Sequence, residues 1–71
     1  GGTVEFAQYL AIAKGSAGEV KAQLYVALDQ GYIKQDNFDR LVAITDETSR
    51  MLKGLMIYLS KTAIKGSKFK S

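Results

Sequence analysis

Apolar positions recur at helical spacing in two long blocks of this chain. In the first, Phe6, Leu10, Ala13, Ala17, Val20, Leu24 and Ala27 follow one another in alternating steps of four and three, the seam spacing of an antiparallel helix pair. The second block, Phe38, Leu41, Thr45, Thr48, Leu52, Leu55, Leu59 and Thr62, keeps the same alternation. The pattern predicts one helix over about 3–30 and another over about 35–65, hinged at Gly31-Tyr32-Ile33 and followed by a basic tail over 66–71. The fold class is therefore all-α, an antiparallel helical hairpin.

Local chemistry supports these limits. Thr3 is placed to cap the first helix, with Glu5 in its positive first turn. Gly31 is the residue expected in the left-handed conformation just past the helix end, and the apolar Tyr32 and Ile33 are expected to plug that end of a bundle. Asp36 and Asp39 suit the start of the second helix. No proline interrupts either helix.

More apolar surface is present than two helices can cover. Tyr9, Ile12 and Val26 form a second stripe beside the first seam, continued by Ser16, Glu19 and Gln23. On the second helix the extra stripe is Ile44, Met51 and Tyr58. These stripes read as bundle core rather than as a ligand pocket. Gly15, Ser16, Ala17 and Gly18 add a flat patch of small residues. It is either the close approach of another helix or a weak spot, since each glycine costs up to about 1 kcal/mol in a helix interior. The hairpin is accordingly expected to form part of an up-and-down four-helix bundle, completed by oligomerisation or by an N-terminal helix missing from this chain.

Composition narrows the function. Among 71 residues there is no cysteine and no histidine, which removes disulfides, thiolate nucleophiles, imidazole bases and nearly all transition-metal sites. The only adjacent carboxylates, Asp46 and Glu47, diverge by about 100° on a helix and cannot converge on one proton. No enzyme, cofactor or metal is expected. The absence of cysteine fits a reducing cytoplasm, and no apolar run approaches the ~20 residues needed to span a bilayer. Glu19 counts outward from the hinge to within about a turn of Arg50, so the two either form a pair or remain solvated. The hydroxyls of Thr45 and Thr48, opposite Ala17 and Val20, are expected to bond carbonyls of the preceding turn.

Charge is unevenly spread. Residues 1–49 carry four basic and seven acidic side chains, net −3, whereas residues 50–71 carry six basic and none acidic, net +6. Arg50, Lys53, Lys61, Lys65 and Lys68 fall within about a third of the helix circumference, opposite Leu52, Leu55 and Leu59. Such a ridge can follow a phosphate backbone, with Phe69 available to stack on a base. It can equally be a solvated face that complements the helix dipole, or meet an acidic protein.

The run Glu5-Phe6, Leu10-Ala11-Ile12-Ala13-Lys14-Gly15-Ser16, Glu19, Gln23-Leu24, Ala27, Gly31-Tyr32-Ile33, Arg50-Met51-Leu52 and Gly54-Leu55 resembles the bacterial four-helix bundle protein family. That family includes proteins encoded in intervening sequences of large-subunit ribosomal RNA genes and relatives that assist the reverse transcriptases of diversity-generating retroelements. The resemblance covers nearly the whole chain. It implies an up-and-down bundle, homo-oligomers that are often pentameric, and a role near RNA or a nucleoprotein, with no catalytic residues. Members carry a long helix and a small-residue segment before the equivalent of Glu5, so this chain is expected to be the C-terminal part of a longer bundle. The leading expectation is a non-enzymatic RNA-associated assembly protein; the alternative is an adaptor that binds another helix through the small patch and the Tyr9/Ile12 stripe.

Overall fold

The structure, a computed structural model, describes residues 2–70, with side chains through 62. Two helices, α1 (Gly2–Asp29) and α2 (Gln35–Lys70), lie antiparallel as a hairpin. The turn between them is built by backbone chemistry. Gly31 takes φ 77°, which costs a residue without Cβ little. With that residue left-handed, the Tyr32 N–H folds back to the Ala27 carbonyl at 2.8 Å and the Gly31 N–H to that of Leu28 at 3.1 Å. These are the paired bonds of a Schellman motif, and they satisfy carbonyls that the helix end would otherwise leave open. Re-entry is equally local: the Phe38 N–H bonds the Lys34 carbonyl at 2.9 Å to begin α2.

Just above the turn, Tyr25 meets Phe38 edge to face, with centroids 4.9 Å apart and planes at 71°, fixing the register of the two helices. The expected hydroxyl bonds form at Thr45 and Thr48, to the carbonyls of Leu41 and Ile44, both at 2.8 Å. Each leaves its methyl for packing.

Three details depart from expectation. Because α1 already includes Gly2, Thr3 lies inside the first turn rather than capping it. Tyr32 is 80% exposed, since two helices offer no closed bundle end for it to plug; only Ile33 is half-buried. α2 runs to Lys70 rather than ending near Lys65, while the side chains of the basic tail lie outside the described residues.

The contact between the helices is also narrower than the seam. Leu10 and Phe38, each 7% exposed, are the buried hydrophobics, and no described side chain is fully buried. Ala17, Leu24, Ala27, Thr45, Leu52 and Leu59 are half-buried as expected, but Phe6, Val20, Leu41 and Leu55 are exposed. Ala7, Lys21, Leu28, Val42, Ser49 and Met56 take half-buried positions instead. A four-three repeat lays its members on both flanks of the helix face, and one partner helix covers one flank. The contact is therefore rotated toward the flank that holds Lys21 and Ser49.

Candidate nucleic-acid interface

That rotation gives the hairpin two different sides. On one, Ala13, Ser16, Ala17 and Val20 of α1 and Ile44, Thr45, Thr48 and Leu52 of α2 line an open groove with no charged residue. Tyr9, Ile12, Met51 and Tyr58 are exposed as well. Tyr9 and Ile12 line a small hollow with Glu5 and Gln8, whereas Glu19 and Gln23 line another along α1 with Ser16, Val20 and Leu24. No atom of α2 approaches within 4 Å of where a Cβ would stand on Gly15 or Gly18, so α2 is not the neighbour that their small size admits.

The other side is basic. A hollow of about 250 Å³ is lined by Lys14 of α1 and by Asp46, Ser49, Arg50 and Lys53 of α2. Its one acid is engaged: Lys21 Nζ donates to Asp46 Oδ1 at 2.8 Å, tying α1 to α2. That hydrogen bond, with the attraction of the carboxylate, raises the Lys21 pKa above its ordinary 10.5. Among the described residues this is the ion pair that links the helices, and the Glu19–Arg50 pair is not made. Arg50 lines the basic hollow together with Lys14 instead, and Glu19 lines the α1 hollow with Gln23.

Of the five expected ridge cations, Arg50 and Lys53 thus converge in one hollow and Lys61 is exposed further along α2. The side chains of Lys65 and Lys68 lie outside the described residues. Lys14 is the member that reading α2 alone misses. Its signal was available: counting outward from the two helix ends at the turn brings Lys14 within about a turn of Lys53 and Lys21 within about a turn of Asp46. Convergent lysine and arginine side chains without an internal counter-ion hold anions, above all phosphates, by charge and by hydrogen bonds.

No helix among the described residues is long and apolar enough to cross a membrane. A family model described as 23S rRNA-intervening sequence protein matches residues 1–54. No curated protein and no solved structure matches the chain.

Proposed function

This chain belongs to the 23S rRNA-intervening sequence protein family, and from that membership we propose that it is a non-enzymatic assembly protein that contacts RNA through its basic side. The observation that carries the reading is the sorting of charge. Lys14, Arg50 and Lys53 gather on one side of the hairpin with Asp46, whose carboxylate is engaged by Lys21, while the groove between the helices on the other side is uncharged. A protein that neutralises phosphates needs the first arrangement and one that assembles with copies of itself needs the second. The family's description names an intervening sequence of 23S rRNA, and RNA as the anion is compatible with it. The uncovered apolar residues support a homo-oligomer in which other copies of the hairpin complete a helical bundle. A cysteine-free sequence supports a cytoplasmic site of action.

Single-stranded RNA titrated from low to high salt tests this. With Lys14, Arg50, Lys53 and Lys61 contributing, log affinity falls against log salt with a slope of about −2.8 per hairpin, since each neutralised phosphate of a single strand contributes about −0.7. Changing Lys53 and Lys61 together to Gln lowers that slope by about 1.4 and leaves helicity unchanged. Absence of binding at low salt overturns the reading.

A further inference from the structure

The reading above needs only a basic surface; the hollow itself is more specific. Three cations reach it from two helices, and among the described residues no carboxylate lies within 4.0 Å of any of them. Like charges so gathered repel, and the hollow's single acid is turned to Lys21 rather than to them. Half-buried Ser49 adds a hydroxyl to the lining. The hydroxyls of Thr45, Thr48 and Thr62 are bound to carbonyls of the preceding turn, whereas Ser49 has no such bond among the described residues.

The fork of Arg50 alone would satisfy a planar carboxylate. Donors arriving from two helices, with a hydroxyl between them, suit a group whose oxygens point in several directions, and that group is a phosphate. We infer that Lys14, Arg50, Lys53 and Ser49 form a seat for one backbone phosphate of the RNA, bridging α1 and α2, so that the strand crosses the hairpin instead of following α2 alone. This rests on the RNA reading above. Lys14 and Lys53 belong to different helices, so the seat exists only when the hairpin is in register, and the Lys21–Asp46 pair holds that register beside it. Asp46 also sets a negative charge next to the bound phosphate and so moderates its affinity.

The test compares the full chain with Lys14→Gln, Lys61→Gln and Asp46→Asn, using labelled single-stranded RNA at salt concentrations from about 50 to about 200 mM, with helicity followed by circular dichroism. Lys14→Gln is expected to lower the salt slope by about 0.7, equivalent to roughly 2.6-fold less affinity lost over that fourfold salt range. Asp46→Asn removes the neighbouring negative charge together with the Lys21 ion pair, so a variant that keeps its helicity is expected to tighten binding at low salt. Lys14→Ala, with its higher helix propensity, is the second variant should Lys14→Gln lose helicity, and is expected to give the same slope change. If Lys61→Gln lowers the slope while Lys14→Gln changes neither slope nor affinity, RNA follows α2 alone; the seat is overturned and the RNA reading stands. If the unaltered chain binds no RNA, both fall. If inorganic phosphate raises the melting temperature in a way that Lys14→Gln abolishes, yet RNA binding ignores Lys14→Gln, the hollow holds a free ion and the seat for RNA is overturned.

Discussion

At Gly31 the backbone reaches φ 77°, and the Schellman bonds from Gly31 and Tyr32 depend on it. Alanine there meets no neighbour, because nothing lies within 4 Å of its Cβ, so its whole cost is conformational. Gly31→Ala is expected to destabilise the hairpin by roughly 1–2 kcal/mol, read from denaturant midpoints at unchanged m-value. Lys21 acts at the same scale through charge. Its pKa is raised by Asp46, so the folded state holds the proton more tightly than the unfolded chain. The stability it contributes is complete below 10.5 and is lost as pH rises through the raised folded value. Comparing melting of the unaltered chain with Lys21→Met from neutral pH into the alkaline range checks this: the difference between them should hold at neutral pH and shrink only at the alkaline end.

Each helix carries faces that its partner helix does not explain. α1 is interrupted by Gly15 and Gly18, and both stand open in the hairpin. Propensity alone says that Gly18→Leu should stabilise α1, by about 0.8 kcal/mol. If a helix of another copy lies over this patch, the added bulk pushes it away and the variant assembles more weakly despite its better helix. A higher melting temperature with unchanged oligomeric mass, by sedimentation, would mark the glycines as a tolerated weak spot. The same contrast explains what could be read from sequence. The hinge was legible because a glycine past a helix end acts through bonds to its own neighbours. The threonine hydroxyls were legible for the same reason. The exact contact line was not, since Phe6, Val20, Leu41 and Leu55 satisfy the periodicity as well as Leu10 and Phe38 do. Periodicity marks an apolar face, but the width of it that a single neighbouring helix covers depends on how the two helices are rotated against each other. That Arg50 and Lys53 share one flank of α2 was legible from helical phase, whereas Lys14 joins them only through the register between the helices.

At the scale of the whole molecule, the hairpin measures 58 × 16 × 11 Å with a radius of gyration of 16.6 Å. A compact domain of this length has a radius of gyration of about 11 Å. The excess reflects a single layer of two helices that buries Leu10 and Phe38 and leaves Tyr9, Ile12, Ile44, Met51 and Tyr58 in solvent. Two positions separate the stability of the hairpin from that of the proposed assembly. Leu10 lies between the helices, so Leu10→Asp puts an unpaired charge where α1 meets α2 and should lose helicity together with assembly. Leu55 belongs to the same periodic pattern but is 38% exposed. An aspartate there keeps contact with water in the isolated hairpin, and is forced out of water only when another copy covers that flank. Leu55→Asp should therefore lower the oligomeric mass at micromolar concentration, and in the dissociated species helicity should fall only as far as the lost assembly had supported it. A Leu55→Asp protein that sediments at the mass of the unaltered chain would mean that this flank is solvent-facing in the working molecule, and the assembly would then have to be built through the small-residue face of α1.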